Sequence, residues 1–344
     1  MAPVDPRTGH PAGQLTLFSD RFWQRLAYLV PGWRQAELLR WNAKVLGSEM
    51  ARQRFAAGHA GPEVALPAEP SWVGLGSRVC RQADIEHDWL RYWCGVLHCY
   101  PLYHRKLWED CFVLQALWEA GMLAPGKRAL GFAVGREQLP ALFAACGLEV
   151  TATDLDPADR RARGWLASGQ HSAAAQDQLH YPHHLDRAAF DARVAFRPVD
   201  MRRLPADLEG FDFLWSVCAF EHLGTLERGL EFVRRAMRCL KPGGVAVHTT
   251  EYNLAAEERT LGRGRTVLYQ RRHLEALAAS LAAEGHEMLA LDDAAGEGML
   301  DQFVDLPPYP YHPFPLGPLH APHLRLAFRG RIVTSAGIII RKAG

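Results

Sequence analysis

From Gly126 onward, short apolar runs alternate with stretches whose apolar residues recur every three to four positions. The runs lie at 128–132, 149–153, 194–198, 211–217 and 245–250. Runs of this kind predict strands buried on both faces, and the segments at 137–146, 226–239 and 270–284 predict the helices that cover them. The alternation specifies a doubly wound, mostly parallel α/β sheet. After Gly285 the pattern predicts a strand at 286–291, a loop rich in proline and aromatic residues, and a last strand pair within 324–341.

The first third reads differently. Residues 1–13 are rich in proline and glycine and are expected to be disordered, and 18–57 predict one or two amphipathic helices interrupted at Pro31 and Gly32. Three prolines within 58–70 mark a linker. Asp84 is expected to cap a helix in which Ile85, Trp89, Trp93 and Leu97 recur every four residues. Past Tyr100 and Pro101, a second stripe of Leu107, Cys111, Leu114, Leu117 and Trp118 runs to Gly121. The tryptophans read as helix–helix core. The organisation expected is an N-terminal extension over 1–65, a helical cap over 66–125, and an α/β domain over 126–344 with a Pro/aromatic insertion at 296–323. No internal repeat is visible.

Charge adds an exclusion. Lys and Arg total 39 against 38 Asp and Glu, a net charge of +1, so no nucleic-acid or membrane partner is expected. Seven scattered cysteines without CxxC spacing read as reduced core thiols. With no secretory-type leader and no long apolar run, a cytoplasmic location is expected.

Ligands of open parallel sheets bind beyond the carboxyl ends of the strands, which directs attention to 131–136, 154–156, 200–201 and 216–222. Gly131 and Gly135 form a strand–turn–helix junction. Asp154 ends the next strand and either accepts the hydroxyls of an adenosine ribose or caps the following helix. GxGxxG is absent, and Glu137 in the first helical turn would repel a diphosphate, which disfavours nicotinamide and nucleotide-sugar cofactors. A Walker lysine is also missing.

In these features, over roughly 104–290, the chain resembles the class I S-adenosylmethionine-dependent methyltransferases. The matching stretches are GFAVG at 131–135, TATD at 151–154, Asp200–Met201, FDFLWSVCAFEHL at 211–223 and LKPGGVAVHT at 240–249. The glycine loop departs from the family. Gly131 stands at the usual acidic position, Ala133 at the first glycine and Glu137 at the third, leaving only Gly135. Ala133 allows close approach of the cofactor at negative φ.

The resemblance implies a seven-stranded Rossmann-like sheet over 126–344 that binds S-adenosyl-L-methionine. It places Gly131, Phe132, Ala133 and Gly135 along the methionine part, Asp154 on the ribose and Leu155 against the adenine. Asp200 and Met201 would meet the adenine amine and face, and Ser216, Val217 and Cys218 would pass under the sulfonium. Tyr103, His104 and Lys106 are candidates for the cofactor carboxylate.

Methyl transfer needs acceptor, methyl and sulfur held in line, and a hydroxyl acceptor benefits from a base. His222 is the first candidate, followed by Glu221 and Glu251; His222 reads equally well as a structural histidine. His248, Tyr252 and Asn253 at the next strand end, with Tyr309 and Tyr311, are candidate acceptor contacts. His171, His180, His183 and His184 lie in the long connection 155–193 but without metal-ligand spacing, and no metal is expected. The segment 305–323 packs seven prolines among Tyr309, Tyr311 and Phe314. It reads either as a rigid aromatic wall over the acceptor or as an arm clamping the helical extension or a second subunit of a homo-oligomer.

The expected activity is O-methylation of a sugar or other small-molecule hydroxyl, in glycan biosynthesis. The alternative is a non-catalytic methyltransferase fold that acts as a binding or scaffold protein.

Overall fold

The computed structural model describes residues 32–58, 66–172, 175–255, 259–307, 309 and 321–344. Helix α1 (Trp33–Gly58) is followed by strand β1 (Arg78–Val79), the single turn α2 (Gln82–Ile85), α3 (Asp88–Val96) and α4 (Arg105–Glu119). The alternating part then runs β2 (Arg128–Phe132), α5 (Leu139–Ala145), β3 (Glu149–Asp154), the short helices α6 (Arg163–Ala167), α7 (Ala175–Leu179) and α8 (Arg187–Arg193), and β4 (Val194–Pro198). It continues with β5 (Phe211–Ser216), α9 (Leu226–Ala236), β6 (Leu240–Asn253), α10 (Arg271–Ala283) and β7 (Glu287–Met288). The chain closes with β8 (Val304–Asp305), β9 (Arg325–Phe328) and β10 (Arg331–Arg341). Among the described residues no helix is long and apolar enough to cross a membrane.

The sheet order is β4-β3-β2-β5-β6-β10-β9-β8, with β1 and β7 also paired to β10. Strands β2 to β6 are parallel, whereas β10 runs antiparallel to β6 and β7. The runs expected as strands are present, β9 and β10 forming the expected pair within 324–341, and the short β1 and β8 extend the sheet at β10 and β9. Strand order reverses between β2 and β5, which places the crevice at their carboxyl ends.

Alternation along the strands explains why the runs are apolar throughout. Ala129, Phe213 and Trp215 face a core shared with α3, α4 and α5, while Leu130, Phe132 and Leu214 face one shared with α9 and α10. Of the tryptophans expected in the core, Trp89 and Trp93 are buried and Trp118 packs partly buried against the same cluster, while Trp108, outside the predicted stripes, is buried as well. Their cost is offset by hydrogen bonds, Trp93 Nε1 donating to Gln115 at 2.7 Å and Trp108 Nε1 to Asp84 at 2.9 Å. Asp84 is therefore not a helix cap. His87 caps α3, its Nδ1 accepting from the Trp89 amide, because Asp84 is buried and committed to Trp108 and Arg78.

Candidate active site

The turn after β2 is held in an unusual backbone shape. Ala133 and Gly135 both have positive φ, +51° and +53°. Left-handed backbone costs an L-residue roughly 1–2 kcal/mol, and Ala133 does not meet the condition of negative φ under which it would allow close approach of the cofactor. A Cβ on Gly131 would lie 2.3 Å from the Trp215 indole, so Trp215 fills the space beside the position where the family carries its acid. Trp215 Nε1 donates to Glu137 Oε1 at 2.8 Å, so the indole packed on Gly131 also holds a carboxyl group from later in the chain. The Phe132 ring is buried edge-on against Phe232 at 5.1 Å. Only its backbone can face the crevice, a second correction.

Asp154, at the end of β3, accepts from the Gly135 amide at 3.2 Å, from its neighbour Leu155 at 2.7 Å and from the Ser172 hydroxyl at 3.4 Å. It is buried, with His171 Nε2 at 3.7 Å, and burial raises its pKa. The connection after β3 lies over this turn. The Gln170 carbonyl oxygen would sit 2.7 Å from a Cβ on Gly135, His171 bonds the Leu155 carbonyl, and Tyr181 donates to the Arg136 carbonyl. The other histidines of the connection serve packing: His180 bonds the Leu185 carbonyl, and His183 and His184 converge on Gln138. Beyond β4, Asp200 is engaged by Arg161 at 2.8 Å and by the Arg202 amide, and Met201 is buried beside it.

At the ends of β5 and β6 the side chains divide by face. Ser216 and His248 bond each other at 2.8 Å and are wholly buried. Burial pushes His248 down to about 3. It therefore cannot touch an acceptor. Tyr252 is buried and donates to Asp293 at 2.6 Å, and Asn253 is tied to Thr260 and the Ala255 amide. The acceptor roles of all three are corrected: period-two alternation turns His248 and Tyr252 away from the crevice, and loop-stapling consumes Asn253.

Glu251, on the opposite face of β6, meets Arg105 at 2.7 Å and Lys106 at 3.6 Å. Burial works against its charge, but Arg105 and Lys106 hold it down at about 2. Glu109 completes this cluster, accepting from Thr249 at 2.8 Å, from Ser335 and from Lys106 at 3.0 Å. Cys218, at φ +48°, has its amide on the Thr249 carbonyl and its thiol 2.6 Å from Glu221 Oε1 and 3.3 Å from Glu251 Oε1. Glu221 is wholly buried and also accepts from Thr250 at 3.1 Å. The His222 ring packs edge-on to Trp165 at 4.7 Å and bonds the Arg265 carbonyl through Nδ1 at 2.8 Å.

Lys106, Asp110, Glu137, Val217 and Cys218 keep a solvent-accessible side. Burial nevertheless raises the pKa of Glu137 and Cys218, and pushes Asp110 up to about 7 with help from Glu109. These groups touch water on one side and dense protein on the other. Asp110 and Asp154 also act on Glu137, so its surroundings are acidic. Of the three residues expected near the cofactor carboxylate, only Lys106 faces the cluster. Tyr103 donates to Glu86 at 2.8 Å, and His104 caps α4 and stacks on His323. Tyr309 bonds the Ala327 carbonyl and lies under Lys44 of α1, which also pairs with Asp305 at 2.6 Å. It clamps the helical extension. Tyr311 and Phe314 lie outside the described residues.

Arg105, Glu109, Asp110 and Trp215 escaped the sequence reading. The signal that could have found the first two is an Arg and a Glu spaced i,i+4 inside the apolar helix α4, since buried charges occur in pairs.

Residues 130–248 match the sequence model of a family described as "Methyltransferase domain". No curated protein matches the chain. Among solved structures, phosphoethanolamine N-methyltransferase 2 from Haemonchus contortus in complex with S-adenosyl-L-methionine is 20% identical, with a TM-score of 0.36 over 51% of this chain and 37% of that one. The same enzyme with phosphomonomethylethanolamine and S-adenosylhomocysteine gives 15% identity and a TM-score of 0.41 over 67% and 52%. This chain thus spans from about a third to about half of those relatives. Magnesium protoporphyrin IX methyltransferase from Synechocystis PCC 6803 is 11% identical, TM-score 0.41, over 90% of this chain and 100% of that one. Residues 130–248 are thus similar to the methyltransferase domain family, and the strand order they span is that of a Rossmann-like α/β sheet.

Proposed function

We propose that this chain transfers the methyl group of S-adenosylmethionine to an acceptor held at the carboxyl ends of β5 and β6. The observation that carries the reading is the pair of carboxyl groups fixed at the strand-order reversal, Asp154 bonded by the Gly135 amide at 3.2 Å and Glu137 bonded by the Trp215 indole at 2.8 Å. Burial raises the pKa of these carboxyl groups, so they gain charge where an ammonium and a sulfonium arrive and offer nothing to a diphosphate. Glu137, aimed by Trp215, takes over the family's missing acid and binds the amino group, with Asp110 beside it. The ribose hydroxyls replace Ser172 on Asp154, a contact already long at 3.4 Å. Leu155 and Met201 pack on the adenine, and the backbone of 216–218 passes under the sulfonium.

The protein's contribution to transfer is then positioning and exclusion of water. His222 and Glu251 flank the approach of the acceptor, and Glu251, anionic and anchored by Arg105, is placed to orient a hydroxyl. A sugar or other small-molecule hydroxyl is the acceptor class proposed. A second reading, a non-catalytic binding module, is favoured by the Gln170 carbonyl lying on the glycine turn.

A screen for S-adenosylhomocysteine release across sugar, phenol and small-metabolite acceptors separates the two. Release with one acceptor class supports the enzyme. Cofactor binding without release from any acceptor supports the binding module.

A further inference from the structure

We infer that Cys218, Glu221 and His222 form a divalent transition-metal site, of the kind that takes Zn²⁺, at the mouth where the acceptor would enter. This rests on the methyltransferase reading only for its purpose; the site itself stands on side-chain geometry. Among the described residues, one ligand atom from each of the three lies within 4.8 Å of the others. The thiol sulfur is 2.6 Å from Glu221 Oε1, and His222 Nε2 is 3.9 Å from the same oxygen. Sulfur, imidazole nitrogen and carboxylate oxygen are the donor set of zinc.

Two further observations point to a cation. The first is the histidine tautomer. A carbonyl oxygen only accepts, so the bond from His222 to Arg265 puts the hydrogen on Nδ1. In the neutral ring Nε2 then presents a lone pair towards Glu221, at a distance too long for a hydrogen bond. A metal-bound histidine is held in this way, its other nitrogen donating to a backbone carbonyl. Trp165 fixes the ring plane. The second is backbone strain. Cys218 is a non-glycine residue at φ +48°, anchored through its amide to the Thr249 carbonyl and hydroxyl, and its sulfur lies 2.6 Å from Glu221 Oε1. Strain of this kind persists at functional sites because the surroundings impose it.

Charge agrees with an ion of valence two. In the linked cluster three carboxylates, Glu109, Glu221 and Glu251, face two cations, Arg105 and Lys106. Ionising the thiol on metal binding brings the sum from minus one to minus two. Cys218 and His222 are only partly buried, and three protein ligands would leave a fourth tetrahedral position for a small molecule. An open position marks a metal that binds a small molecule rather than one that only braces the fold. The ligand expected there is the acceptor's oxygen or sulfur.

The test uses full-length, tag-free, reduced protein stripped with chelator and titrated with Co²⁺. One equivalent is expected to bind, with a near-ultraviolet thiolate-to-cobalt charge-transfer band that Zn²⁺ abolishes. Cys218→Ser should lose the band, and His222→Asn should weaken Co²⁺ binding at least tenfold, while Cys146→Ser behaves as wild type. Absence of the band from wild type, or its retention in Cys218→Ser, overturns the site. Should the Cys218 variant misfold by circular dichroism, thermal stabilisation of wild type by Zn²⁺, lost in His222→Asn, decides the matter. S-adenosylmethionine calorimetry on the stripped protein keeps this outcome apart from the methyltransferase reading: cofactor binding without metal binding refutes only the metal site.

Discussion

The Gly135 amide donates to Asp154 Oδ2 at 3.2 Å, so the turn after β2 and the end of β3 are held as one unit. The turn is thereby shaped from the neighbouring strand, although one family glycine is an alanine and another a glutamate. Asp154 still has two other partners, and the Ser172 contact is the longest of them. That is the contact a ribose would replace.

Asp154→Asn keeps the size of the side chain and removes its charge. Cofactor affinity should fall at least tenfold, or about 1.4 kcal/mol, while circular dichroism and the melting temperature stay close to wild type. Unchanged affinity in calorimetry removes Asp154 from the ribose.

Gly131→Ala drives a methyl group to within 2.3 Å of the Trp215 ring. Overpacking of this kind costs about 1–3 kcal/mol, and displacing the indole should also break its bond to Glu137. Urea unfolding followed by tryptophan fluorescence reads both effects. A variant as stable as wild type contradicts the packing described around Gly131.

Ala133→Gly should stabilise the protein by about 1 kcal/mol, because glycine takes φ +51° without the steric penalty of a Cβ. The denaturation midpoint measures this. A lower midpoint in the variant means that the turn is not left-handed in solution.

His248 carries a folded-state pKa of about 3, lowered by burial, against roughly 6.5 when unfolded. Between those values the unfolded chain binds the proton and the folded one does not. The neutral histidine's contribution is thus present above pH 6.5 and lost as pH falls, by up to about 1.4 kcal/mol per unit. His248→Asn should be less stable at pH 7 yet show a shallower decline from pH 6.5 to 5. Parallel curves for the two proteins would speak against a buried, neutral His248.

The fold was legible to the extent that burial was two-sided. The predicted run at 128–132 coincides with β2, a central strand buried on both faces, whereas 194–198 coincides with β4 although that edge strand is only partly buried and carries Arg197. The two-residue strands β1 and β8 carry no such pattern and arise from pairing with β10 and β9. The start of α3 was misplaced at Asp84 because a buried aspartate and a capping one look alike until Trp108 is seen to reach it. In the site, the tie between Gly135 and Asp154 was foreshadowed by the order of strand, turn, strand and acid. His248, Tyr252 and Asn253 were misassigned because position at a strand end does not say which face a side chain takes. Trp215 and Arg105 gain their places only from tertiary contacts, with Gly131 and Glu251.

The central claim is that the acidic cleft beside the glycine turn holds a sulfonium cofactor. Isothermal titration of the folded wild-type chain with S-adenosylmethionine and S-adenosylhomocysteine addresses it most directly. Saturable binding of both at one site per chain, weakened at least tenfold by Glu137→Gln for the part that depends on the amino group, is the result predicted. No heat and no thermal stabilisation with either ligand, in protein that circular dichroism shows to be folded, would contradict it.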